Sequence, residues 1–117
     1  MEKTIDICGK QVRFKSSASF LLRYRNYFGA EGLKDLGKTG SIMEEGDLNG
    51  VITMLRIIWS LAKNADPRIP PLDDWVDSFD EFPVADIFAE LDELIAKSLV
   101  TTVSPKNAER EIRDEEN

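Results

Sequence analysis

One segment of the chain matches a phosphate-binding motif in its residue types and spacing. Gly32, Gly37, Lys38 and Thr39 occupy the fixed positions of the pattern G-x-x-x-x-G-K-[ST]. In that motif backbone amides surround the phosphates, the lysine contacts the terminal phosphates and the hydroxyl binds magnesium. The motif works between a buried strand and a helix, whereas here it follows a predicted helix and precedes Gly40. Nucleotide binding through Gly32 to Thr39 is therefore only a remote alternative.

A second candidate for chemistry is a run of carboxylates between Asp73 and Glu93. Acid/base catalysis or calcium binding would each need carboxylates. A calcium loop, however, needs alternating oxygen ligands, a central glycine and a bidentate glutamate at fixed spacing. Asp73, Asp74 and Asp77 have no such glycine and fall at helical spacing. The pattern favours a solvated acidic face, with an electrostatic docking face as the alternative.

Other catalytic chemistries lack their residues. The chain has no histidine and a single cysteine, Cys8. It therefore lacks a Ser-His-Asp or Cys-His pair, an imidazole metal ligand and an intrachain disulfide. Cys8 is expected to be half-buried in a strand, with only Lys10 as a nearby basic group. We expect no enzyme, no catalytic residue, no cofactor and no metal site.

Length and charge limit the number of domains and the classes of partner that we expect. A chain of 117 residues is one domain on the usual size prior, and a net charge of −7 argues against general nucleic-acid binding. Residues 1–41 carry a net +4 and residues 42–103 a net −9. This asymmetry favours either attraction between the two regions within one domain or a solvated acidic face. The alternative is head-to-tail association between copies of the chain. Without a continuous apolar segment, we expect a cytosolic protein with no signal peptide and no membrane span.

The elements that would position these residues begin with a β-hairpin. Residues 4–8 and 11–15 alternate polar and apolar side chains, and Gly9-Lys10 between them suits a type II′ turn. A lone hairpin is marginal in water, so it must pack on the helices. Its predicted buried face consists of Ile5, Ile7, Val12 and Phe14.

Two helices and a glycine-rich loop are predicted next. Serines 16, 17 and 19 offer N-cap hydroxyls for a helix over residues 20–28 that ends at Gly29. Residues 30–46 are predicted as a loop with a short helical turn near Leu33. Asp47 is the predicted N-cap of the central helix, whose polar stripe includes Thr53 and Ser60. Its predicted apolar face consists of Leu48, Val51, Ile52, Leu55, Ile58, Trp59 and Ala62, widened by Met54, Ile57 and Leu61.

The last part of the chain predicts a short helix, a longer helix and a tail. The prolines of residues 64–71 end the central helix. Residues 72–79 then form a short amphipathic helix, and Pro83 begins a helix that continues to Leu99. Residues 104–117 are highly charged and are predicted to be a disordered tail. The fold class is mainly α (α+β): an N-terminal hairpin packed on about four helices, in one domain over residues 1–103.

Residues 58–65, 72–79 and 94–99 together resemble the tail assembly chaperones of long-tailed phages and prophages of low-GC Gram-positive bacteria. The hairpin and the first helix are also similar, so the likeness spans about residues 3–102. The resemblance implies a mostly helical cytoplasmic protein that is absent from the finished virion. Such proteins coat the tape measure protein, help to recruit tail tube subunits and tend to self-associate.

A binding surface for an amphipathic helix is expected on the two acidic helices. Trp75, Val76 and Phe79 are the candidate apolar groove, although the position of Trp75 on an apolar helix face favours core packing, with an interface anchor as the alternative. The candidate acidic rim consists of Asp73, Asp74, Asp77, Asp86 and Glu90. A generic acidic helical interaction or regulatory module is the alternative function.

Overall fold

The N-terminal hairpin is formed by strands β1 (Glu2–Ile7) and β2 (Lys10–Lys15) in a computed structural model that describes residues 1–36 and 48–102. The strands pair antiparallel with Ile5 opposite Val12. Ile5, Ile7, Val12 and Phe14 are all buried, which confirms the predicted face. That face packs against the central helix.

The hairpin turn differs from the prediction by one residue. Cys8 and Gly9, rather than Gly9 and Lys10, form the two-residue loop, and both have positive φ, 52° and 86°. Positive φ at both central positions is the type I′ turn, so the predicted type II′ turn is wrong. The Gly9 N–H donates to Asp6 Oδ1 at 2.7 Å. As a turn residue Cys8 is exposed, not half-buried in a strand as expected.

Helix α1 (Phe20–Leu36) is broken at Gly29. Ser17 Oγ accepts the Ser19 N–H just before the helix begins, in the region where serine capping was predicted. Gly29 has φ 76° and ψ −175°, so it interrupts the helix as expected. The chain then resumes helical geometry up to Leu36, which includes the helical turn predicted near Leu33, and the rest of the loop predicted over residues 30–46 lies outside the described residues.

Helix α2 (Leu48–Ala65) is at the centre of the molecule, as predicted. It packs against β2, α1 and two later helices. Ile57, Ile58 and Leu61 are fully buried along it. Thr53 and Ser60, which the pattern placed on a polar stripe, are also buried, and Ser60 Oγ donates to the Arg56 carbonyl at 2.8 Å. Asp47, the predicted N-cap, lies outside the described residues.

Three shorter helices follow in the described part of the chain: α3 (Leu72–Asp77), α4 (Val84–Glu90) and α5 (Asp92–Thr102). The prediction of one helix from Pro83 to Leu99 is wrong, because Leu91 at φ −94° and ψ 9° separates α4 from α5. Leu91 is fully buried, and its N–H donates to the carbonyls of Ile87 and Phe88. Packing of this leucine into the core therefore accompanies the break.

The fold is mainly helical with an N-terminal hairpin, which confirms the predicted α+β class. One core cluster joins buried side chains from both strands and all five helices, with Phe14, Tyr24 and Leu94 among the most buried. The predicted tail of residues 104–117 lies outside the described part of the chain. Among the helices of residues 1–36 and 48–102, none has both the length and the apolar character needed to cross a bilayer.

Candidate partner-binding surface

The aromatic residues proposed as a binding groove lie in the core. Trp75 and Phe79 are only 5% and 8% exposed. The two rings meet edge to face with centroids 5.5 Å apart, and Phe82 lies 5.5 Å from Trp75 and 5.4 Å from Phe79. Val76 is half-buried and packs against the hydrophobic core. The expectation of an exposed groove at Trp75 and Phe79 is corrected, because these rings already have partners within the fold.

The hairpin turn holds the segment that follows α3. Lys10 Nζ donates to the Ser78 carbonyl at 2.9 Å and lies 4.9 Å from the centre of the Phe79 ring. The Cys8 thiol donates to the Glu81 carbonyl at 3.0 Å. These contacts join residues that are about seventy positions apart in sequence. They fix the segment from Ser78 to Glu81 against the turn.

The predicted acidic rim is on the surface. All nine carboxylates between Asp73 and Glu93 are exposed, and no basic residue interrupts them. Within the described residues, the one ion pair joins Arg68 to Asp66 and involves none of these nine. The rim residues of the prediction are among them: Asp73, Asp74, Asp77, Asp86 and Glu90.

An exposed apolar face lies on the first half of α2, where the sequence pattern predicted burial. Leu48 is 81% exposed and Ile52 is 45% exposed. Val51 and Leu55, on the same side at helical spacing, are half-buried. We call Leu48, Val51, Ile52 and Leu55 the α2 apolar face. The signal in the sequence was the excess of apolar positions in this helix, more than one buried side requires.

The second half of α2, unlike the α2 apolar face, is covered by α1. The guanidinium of Arg56 lies 5.1 Å from the centre of the Phe28 ring, and Tyr27 packs edge to face on Trp59 with centroids 4.8 Å apart. Lys63 Nζ and Trp59 Nε1 donate to carbonyls of the proline-containing loop. The second half of α2 is therefore occupied by its own chain, in contrast to Leu48 and Ile52.

The phosphate-motif segment does not have the geometry that the motif requires at its first glycine. Gly32 is buried inside α1, and a Cβ there would lie 2.5 Å from Phe28 Cβ. The backbone at Gly32 is helical rather than a loop that follows a strand. Lys38 and Thr39 lie outside the described residues. At Gly32, the close approach of Phe28 from the same helix accounts for the absence of a side chain.

No model of a known protein family, no curated protein and no solved structure matches this chain.

Proposed function

We propose that this protein is a tail assembly chaperone of a long-tailed phage or prophage. It binds the tape measure protein in the host cytoplasm, helps to recruit tail tube subunits and is absent from the finished virion. The observation that carries the proposal is the α2 apolar face, where Leu48 and Ile52 are exposed on an amphipathic helix. The resemblance of the sequence to such chaperones supplies the identity of the partner.

The α2 apolar face suits a helical partner. Positions 48, 51, 52 and 55 form a stripe with the i, i+3, i+4, i+7 spacing by which one helix packs on another. Burial of the surface that Leu48 and Ile52 still expose contributes about 2–4 kcal/mol before the costs of association. Binding of that strength is reversible, as a chaperone requires when tube subunits replace it.

The acidic surface complements this role. A bound tape measure helix would bring its own apolar stripe to the complex, and exposed like charges on the chaperone oppose aggregation. The nine carboxylates between Asp73 and Glu93 provide that charge on α3, α4, α5 and the segments between them. Trp75 and Phe79 pack in the core beneath this surface. We assign the contacts with the tape measure protein to the α2 apolar face instead.

Co-expression with the tape measure protein from the same gene cluster tests the proposal. We expect the native chain to keep that protein soluble and to co-purify with it. The double variant Leu48→Ser/Ile52→Ser should lose both effects while it keeps its own thermal midpoint, because these side chains are exposed. Leu22→Ser is the matched control, since Leu22 is 67% exposed on α1 and lies outside the α2 apolar face.

Two outcomes would contradict the proposal. One is a tape measure protein that is equally insoluble with and without this chain. The other is a double variant that protects it as well as the native chain does. Gene order gives an independent check, since a tube gene upstream and a very long helical gene downstream are expected. A position outside a tail operon would favour the generic interaction module instead.

A further inference from the structure

A cleft of about 210 Å³ is bordered by β2, by the loop that joins α2 to α3, and by α3 with the residues that follow it. Its lining combines two kinds of side chain. Lys10 and Arg13 contribute positive charge from β2. The apolar part consists of Val12, Ile69, Trp75 and Phe79.

Both cations have hydrogen-bond donors left for a ligand. Lys10 uses one N–H on the Ser78 carbonyl, and Arg13 uses one on the Ala65 carbonyl at 3.2 Å. An ammonium has three donors and a guanidinium has five. Neither side chain makes an ion pair within 4 Å among the described residues. The cleft therefore presents unused cationic donors beside apolar side chains.

One carboxylate, Asp66, also lines the cleft but has a cation of its own. Arg68 Nε donates to Asp66 Oδ1 at 3.0 Å, and the Arg68 backbone N–H donates to the same oxygen. Arg68 is the main partner of Asp66, and Arg13 adds a weaker electrostatic interaction with the same carboxylate. With Lys10, Arg13 and Asp66 in its lining, the cleft still carries a net charge of +1. On a chain of net charge −7, this cleft is a local positive site.

We propose that this cleft binds a partner segment in which an apolar side chain adjoins a carboxylate. The apolar side chain packs on half-buried Ile69 and on the small exposed edges of Trp75 and Phe79, and the carboxylate accepts hydrogen bonds from Lys10 and Arg13. The volume fits this occupant, because sites for drug-sized molecules are larger, about 300–1,000 Å³. A peptide side chain with its neighbouring charge is the matching size and chemistry.

This site is separate from the α2 apolar face. Asp66 directly follows α2, whereas Ile52 lies in its first half. Thirteen helical residues, 53–65, lie between Ile52 and Asp66, so the two are about 20 Å apart at a rise of about 1.5 Å per residue. The inference therefore holds or fails independently of the proposed tape measure partner.

Titration of the full chain with a defined peptide tests the proposal. The probe is a short acetylated and amidated peptide with one phenylalanine flanked by two glutamates. In ¹H–¹⁵N spectra we expect shifts of the Trp75 indole and of the Gln11 and Ser78 amides. The same peptide with glutamines should bind about tenfold more weakly, because charge-assisted hydrogen bonds are lost. Sodium acetate at the same carboxylate concentration should give smaller shifts, since it leaves the apolar lining uncovered.

Variants assign the effect to the cleft. Arg13→Gln should weaken binding of the glutamate peptide about tenfold, and Gln11→Lys should strengthen it by adding a cation to the cleft wall. Lys3→Gln is the matched control, because it removes the same charge from an exposed position of β1 that does not line the cleft. Thermal midpoints of all variants exclude loss of folding as the cause.

Three results would overturn the proposal. The first is the absence of shifts at Trp75, Gln11 and Ser78 up to the solubility limit of the glutamate peptide. The second is equal binding of the glutamate and glutamine peptides, which would leave no role for the cations. The third is an equal loss of affinity in folded Arg13→Gln and Lys3→Gln, which would indicate non-specific attraction to overall charge.

Discussion

Trp75 is a structural residue because its ring is enclosed by its own fold. The indole packs edge to face on Phe79 and Phe82 and is 5% exposed. Its neighbours Asp73 and Asp74 are exposed on the same short helix. In the sequence, a tryptophan beside acidic residues suggests an interface. In the structure, the tryptophan belongs to the core and only the carboxylates are on the surface.

Trp75→Ala should therefore destabilise the fold rather than only weaken partner binding. We expect a loss of about 3–5 kcal/mol in the free energy of unfolding, measured by urea denaturation, because truncation leaves a cavity among aromatic rings. Asp74→Asn, one residue earlier and exposed, should change it by less than about 0.5 kcal/mol. If Trp75→Ala were as stable as the native chain, the side chain would be free for a partner after all.

Asp66 links the stability of the loop after α2 to pH. Hydrogen bonds from the Arg68 side chain, then from its backbone N–H, lower the pKa of Asp66 below the ordinary value of an aspartate. The ionised form therefore stabilises the folded state above the unfolded pKa, and that contribution is lost as the pH falls through the lowered folded pKa.

The measurement is thermal unfolding of the native chain and Asp66→Asn from pH 7 downwards. The gap between their midpoints should be largest at neutral pH and should close as the pH falls below about 4. Arg68→Gln should reduce this pH dependence in the same way, since it removes the guanidinium that favours the carboxylate. Parallel profiles for the native chain and Asp66→Asn would contradict the assignment.

At the scale of the elements, the hairpin shows what alternation can and cannot predict. The buried face of Ile5, Ile7, Val12 and Phe14 follows from period two, and the structure confirms it. A loop at Gly9-Lys10 would shift the pairing by two residues and keep the same face inward. The pattern alone therefore could not choose between the two turns, and the structure places the loop at Cys8-Gly9.

The helices show a second limit of pattern analysis. Local propensity gave no reason to stop at Leu91, and the break occurs where this side chain is fully buried. Leu48 and Ile52 fit an apolar helical face, but periodicity cannot say whether that face is covered by the same chain. The candidate site was missed for this reason, whereas the exposure of Asp86 and Glu90 was predictable from their place on the polar side of α4.

Gly29 allows α1 to change direction, and a substitution there should be costly. Its φ of 76° with ψ of −175° lies in a region that is essentially restricted to glycine. A Cβ added at Gly29 would meet no other part of the fold within 4 Å, so the cost of Gly29→Ala is backbone strain alone, about 1–3 kcal/mol by urea denaturation. Ala30→Gly, at the next and exposed position, should cost about 1 kcal/mol or less. A more stable Gly29→Ala would indicate that α1 continues as an unbroken helix.

Over the whole molecule, charge is divided between regions. The nine exposed carboxylates between Asp73 and Glu93 have no basic residue among them, whereas Lys10 and Arg13 line the cleft on β2. A net charge of −7 alone indicated only that general nucleic-acid binding was disfavoured. The positions of the charged residues separate an acidic surface from a small cationic cleft. A negatively charged partner segment is therefore repelled by the acidic surface and attracted to the cleft.

Charge reversal on α4 distinguishes overall repulsion from local electrostatics. Glu90→Lys and Asp86→Lys change the net charge equally, but Glu90 ends the helix and Asp86 lies in its first turn. Glu90→Lys creates a favourable pair with Asp86 four residues earlier and places a cation at the helix C-terminus. We expect it to raise stability by about 0.5–1 kcal/mol at low salt, a gain that shrinks as salt screens it. Asp86→Lys reverses the favourable dipole contact and should give no gain. Equal gains from both variants would show that overall repulsion, rather than local placement, limits the stability of this acidic surface.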